Sequence, residues 1–62
     1  MNIGEATEAL KNGQKVRRHS WEAGAYIERG AHVLRMFYLD GEVYLWECDN
    51  DDQFAEDWEI LR

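Results

Sequence analysis

An α+β fold, a short N-terminal helix followed by a small antiparallel β-sheet meander, is predicted by three features of the chain. These are a capped amphipathic segment at its start, a series of short β-forming runs from Gln14 onward, and an Asp40-Gly41 turn between two of those runs.

The helix is read over Asn2 to Asn12. Asn2 can cap it, and Glu5 stands three residues later at capping-box spacing. Ile3, Ala6, Ala9 and Leu10 form a narrow apolar stripe, Lys11 falls in the last turn, and Gly13 follows as a natural stop. A helix this short draws its stability from packing. Gln14 to Ser20 reads as a strand, and the charges around Val16 (Lys15, Arg17, Arg18) place it at a sheet edge. After a turn at Glu22-Ala23-Gly24, strands are expected at Ala25–Glu28 and Ala31–Leu39, the latter rich in β-formers. Asp40-Gly41 predicts a hairpin into Glu42–Glu47, with Val43 and Leu45 on one face and Tyr44 and Trp46 on the other. The acidic turn Asp49–Asp52 is expected to cap a helical turn through Gln53–Ala55, and Asp57–Leu61 reads as a last strand.

With 62 residues the expectation is a single domain, 1–62, small enough to be marginal alone. One cysteine allows no internal disulfide, and the Cys/His spacing of a structural zinc site is missing, so oligomerisation is the expected source of extra stability. Three Trp, three Tyr and two Phe exceed the needs of a minimal core and point to an interface or a pocket. A net charge of −6 argues against general nucleic-acid binding, which draws its affinity from Lys and Arg, while leaving room for a small anion in a local cationic pocket. The first residues lack a signal peptide's basic start and apolar run, no segment resembles a membrane span, and a lone Cys48 fits a reducing cytoplasm; the expected location is the cytoplasm.

Two stretches carry a family resemblance. The first runs from Met1 to Trp21: an Asn-x-Gly-Glu-Ala start, Glu8-Ala9-Leu10-Lys11-x-Gly13, then Lys15-Val16-x-Arg18 and Trp21. The second runs from Asp40-Gly41 through Trp46 to Ala55-Glu56-Asp57-Trp58-Glu59-Ile60. Together they resemble the Thoeris anti-defence family of the second type, small phage and prophage proteins. Longer relatives carry a proline-containing aromatic insert where this chain has only Ile27 through Tyr38, and tend to have Trp-Asn-Gly where it has Trp21-Glu22-Ala23. The resemblance implies a homo-oligomer, a dimer or tetramer, acting as a sponge. Such a protein sequesters a nucleotide immune signal in the host cytoplasm during infection without cleaving it. The ligand implied is an ADP-ribose derivative, a cyclic ADP-ribose isomer made by TIR-domain enzymes, or another cyclic nucleotide.

A nucleotide needs a flat surface for its base and Arg, Lys or backbone N–H donors for its pyrophosphate. Trp21 is the first candidate for stacking, weighed against an equal case for a core anchor. Trp46 is a second, with core or oligomer contact the stronger reading; Trp58 reads as core, and Tyr26 and Tyr38 as rim aromatics. Arg17, Arg18 and His19 form the one basic cluster. Phosphate binding and a solvated edge weigh equally for Arg18, and the solvated edge is favoured for Arg17. Arg35 is either an inward phosphate ligand or the solvent side of an alternating strand. Asn50, Asp51 and Asp52 can reach ribose hydroxyls, although capping the next helical turn is favoured.

No Gly-rich phosphate loop, metal-spaced Cys/His pair or legible triad supports catalysis, and no cofactor is expected. His19 and His32 read as surface or packed histidines, and Cys48 as a small buried hydrophobe. The rival to the sponge is an acidic protein-binding inhibitor of a host defence enzyme or nuclease.

Overall fold

A computed structural model describes residues 1–31 and 33–61; His32, with its reading as a surface or packed histidine, and Arg62 lie outside the described residues. Helix α1 spans Ile3–Lys11. Its capping box is closed in both directions: the Glu5 N–H donates to Asn2 Oδ1 at 2.9 Å, and the Asn2 N–H donates to Glu5 Oε1 at 3.0 Å. At the other end Gly13, at φ +83°, turns the chain away. The Gln14 N–H reaches the Ala9 carbonyl and the Gly13 N–H the Leu10 carbonyl, both at 3.0 Å, which is the paired bonding of a Schellman stop.

Five strands follow: β1 (Lys15–Arg18), β2 (Tyr26–Arg29), β3 (Leu34–Phe37), β4 (Val43–Leu45) and, after helix α2 (Asn50–Phe54), β5 (Trp58–Leu61). They form one antiparallel sheet in the order β4-β3-β2-β1-β5. The predicted α+β architecture is therefore the observed one, and the Asp40-Gly41 hairpin joins β3 to β4 with Gly41 at φ +90°. The edge position expected for the Lys15–Arg18 strand is corrected. β5 returns across the fold to pair with it, so β1 lies inside the sheet and β4 and β5 are the edges. The charges of Arg17 and Arg18 are absorbed by partners, not by solvent.

The register sorts the side chains onto two faces. Ile60, Val16, Ile27, Met36 and Tyr44 are cross-strand neighbours in one row, and Val16 and Ile27 in it are fully buried. Helix α1 covers this face over β1, β2 and β5, setting Ala6, Ala9 and Leu10 against Val16, Ile27 and Trp58. The opposite face carries Lys15, Arg17, Tyr26, Glu28, Arg35, Phe37, Val43, Leu45, Glu59 and Leu61. Helix α2 begins one residue after Asp49, whose carboxylate accepts from the Asp52 N–H at 2.9 Å. Cys48, expected to be buried, is exposed, because it sits in the extended segment leading to this cap and not in a strand.

Candidate functional site

Trp58 is the fulcrum of the site. It is 3% exposed at the start of β5, and its indole N–H donates to the Asp52 carbonyl at 3.1 Å, tying β5 to α2. Trp21 and Trp46 stand edge-on against it, with centroid distances of 5.4 and 5.9 Å and interplanar angles of 79° and 89°. Trp58 is thus core, as expected. Trp21 and Trp46 are half-buried, packed on that core yet open on one side.

Beyond them the sheet face is not covered by α1, and a cleft of about 440 Å³ opens, within the span of about 300–1,000 Å³ usual for small-molecule sites. Its apolar lining is Trp21, Met36, Tyr38, Tyr44, Leu45 and Trp46. Tyr38 and Tyr44 meet edge-on at 5.6 Å. Its charged lining is Arg18 with Glu47, Asp49, Asp51 and Asp52, the last four brought in by the turn after β4 and the first turn of α2.

Arg18 is clamped. Its Nε donates to Asp57 Oδ1 at 2.8 Å and its Nη1 to Asp52 Oδ1 at 3.1 Å. The hydrogen bond that Arg18 donates to Asp57 raises the Arg18 pKa above its ordinary value against the opposing effect of burial, and Arg18 in turn holds the Asp57 carboxyl below the usual range. Arg18 keeps unspent N–H groups, but two carboxylates offset its charge. The other Asp57 oxygen accepts from the Ser20 N–H at 3.3 Å, so the clamp also fixes the loop leading to Trp21.

Arg17 works on the same loop from the other face of the sheet. Its guanidinium donates to the carbonyls of Arg18, at 3.1 Å, and of Trp21, at 2.7 Å, and lies 3.4 Å from the Glu59 carboxylate. It positions Trp21 and does not line the cleft.

Of the residues singled out from sequence, the cleft brings together Arg18, Trp21, Tyr38, Trp46, Asp51 and Asp52. Asn50 lies on the first turn of α2 between the lining residues Asp49 and Asp51, and is exposed. Tyr26 stacks on Phe37 at 5.0 Å with the Lys15 ammonium 5.0 Å from its ring centroid, on the opposite face of the sheet. Arg35 is exposed on that same face, paired across the ladder with Glu28 and Leu45. Sequence reasoning passed over Met36, Tyr44, Glu47 and Asp49 as site residues. Period-two alternation within their own strands, which pairs Met36 with Tyr38 and Tyr44 with Trp46, was the signal for Met36 and Tyr44; nothing in the sequence pointed to Glu47.

Comparison with known proteins covers nearly the whole chain. The family profile described as a Thoeris anti-defense 2-like domain matches residues 1–61. A protein of Bacillus phage SP01 named Thoeris anti-defense 2 is 26% identical over 84 aligned positions, spanning 98% of this chain and 94% of that protein. The alignment is longer than the 62 residues here, so the phage protein carries insertions that this chain lacks.

Proposed function

Because the chain belongs to the Thoeris anti-defense 2-like family, we propose that it is an anti-defence sponge that holds a nucleotide immune signal in the Trp21–Trp46 cleft and does not cleave it. The observation that carries this reading is the cleft itself. Two tryptophans braced by a buried third, with two tyrosines beside them, form a rigid aromatic recess of a size to receive a base and its ribose. The signal proposed is an ADP-ribose derivative or cyclic ADP-ribose isomer of the kind made by TIR-domain enzymes, met in the host cytoplasm during infection. Capture requires slow release and no turnover.

We place the complete site in a homo-oligomer. Tyr44 is an exposed aromatic in the cleft lining, and a second copy covering it would close the recess over the ligand. The acidic lining favours one other reading, a protein-binding inhibitor whose basic partner inserts a Lys or Arg side chain among the aromatic rings.

Thermal melting with ADP-ribose and cyclic ADP-ribose isomers separates the two. A ligand at about 100 times its Kd adds about 2.7 kcal/mol to stability, which raises Tm by roughly 10–20 °C in a domain of this size. The expected result is such a shift, its loss in Trp21→Ala, and recovery of intact ligand after the protein is denatured. Melting curves unmoved by every nucleotide, or ligand recovered as fragments, would refute the sponge.

A further inference from the structure

We infer that the cleft takes the nucleoside end of its ligand and turns the phosphates outward, with Glu47 and Asp51 as the residues that enforce this polarity. The inference rests on the nucleotide reading above and adds to it the direction of entry. A phosphate would normally be expected to seek the arginine. Here Arg18, the one cation among the described lining residues, is held by Asp57 and Asp52 at 2.8 and 3.1 Å, and releasing it would leave two carboxylates without their counter-ion. The remaining charged lining groups are all acidic. Asp49 spends one oxygen on the Asp52 N–H. Glu47 and Asp51 are exposed at the lip and, among the described residues, join no ion pair.

Ionised carboxylates are acceptors only. What they can read on a nucleotide is therefore its donors: the ribose hydroxyls, which carboxylates bind in dinucleotide sites, and an exocyclic amino group on the base. The same groups repel a phosphate. The aromatic walls, Trp21, Trp46, Tyr38 and Tyr44, offer the base a stacking surface next to these acceptors. Base, ribose and carboxylate thus match inside the cleft, and the pyrophosphate that follows the ribose is left outside it.

The test is calorimetry with adenosine, AMP and ADP-ribose at low and high salt, on the native chain and on a Glu47→Gln, Asp51→Asn double variant. Both substituted positions are exposed, and circular dichroism confirms that the variant folds. The native protein should bind adenosine at least as tightly as AMP, with AMP binding strengthened by salt as repulsion is screened. The double variant should shift the preference toward AMP by on the order of five- to tenfold. AMP binding far tighter than adenosine and weakened by salt would overturn the inference and leave the sponge standing. A preference for adenosine that the double variant leaves unchanged would remove Glu47 and Asp51 from the role. Failure of all three ligands to bind, with melting curves also unmoved by the cyclic ADP-ribose isomers, would sink the sponge reading and this inference together.

Discussion

Replacing Trp58 with phenylalanine isolates the residue on which both core and cleft depend. The change removes the indole N–H and the larger ring. The Asp52 carbonyl that accepts from Trp58 keeps a second, longer donor, the Ala55 N–H at 3.4 Å, so the acceptor is not orphaned. The lost bond then costs about 1 kcal/mol, below the full penalty of a buried unsatisfied group. The missing ring atoms leave a gap between Trp21 and Trp46 worth about 1–2 kcal/mol more. A domain of 62 residues holds about 3–9 kcal/mol in total, so Trp58→Phe should stay folded with about 2–3 kcal/mol less. That is a drop in Tm of roughly 8–24 °C. Trp58→Ala, at about 3–5 kcal/mol, should remove most of the fold's stability. Urea unfolding followed by far-UV circular dichroism, at one fixed protein concentration because any oligomer is stabilised by mass action, measures the loss directly. Near-UV dichroism should also weaken as the two edge-on tryptophan contacts go. A Trp58→Phe midpoint within about 0.5 kcal/mol of the native protein at unchanged slope would be the size of an ordinary surface change, and would show that Trp58 does not brace the cleft walls.

Three further outcomes are expected. The folded-state pKa of Asp57 is depressed by Arg18, so its contribution is present above the unfolded carboxylate value of about 3.9 and lost as pH falls through the lower folded value; Asp57→Asn should flatten the acid limb of urea midpoint against pH. Asn2→Ala opens the capping box of α1 and should cost about 0.5–2 kcal/mol by the same urea titration. Desolvation of the Cys48 sulfur and the nearby Asp52 and Asp49 carboxylates hold its thiol above the ordinary range, so alkylation at neutral pH should run slower than for a free cysteine, despite the residue's exposure.

What could be read from the chain was what depends on near neighbours. The caps of α1 are a matter of residues three to five apart, and both ends lie where Asn2, Glu5 and Gly13 put them. The Asp40-Gly41 turn is equally local. The edge assignment of the Lys15–Arg18 strand failed because the partners of Arg17 and Arg18 are Glu59, Asp52 and Asp57, more than thirty positions away, and local charge cannot reveal them. Cys48 was misplaced for a similar reason: its apolar character says nothing of the extended segment that carries it. For the site, aromatic richness pointed to an interface or a pocket, and Trp21 and Trp46, each weighed against a core role, line the cleft while packing on Trp58. Tyr26, read as a rim aromatic, and Arg35, whose alternation left inward and solvent-facing readings open, are placed on the other face only by the strand register. The acidic character of the cleft arises from a turn folding back over the sheet, which no pattern along the chain encodes.

β5 follows every other described element in the chain, yet it brings Trp58 to the centre and supplies the second neighbour of β1. Without β5 the recess between Trp21 and Trp46 would have no back wall, because Trp58 is the ring against which both stand. The recess therefore depends on pairing between elements far apart in the chain, the contacts that carry the largest loop-closure cost and form slowly.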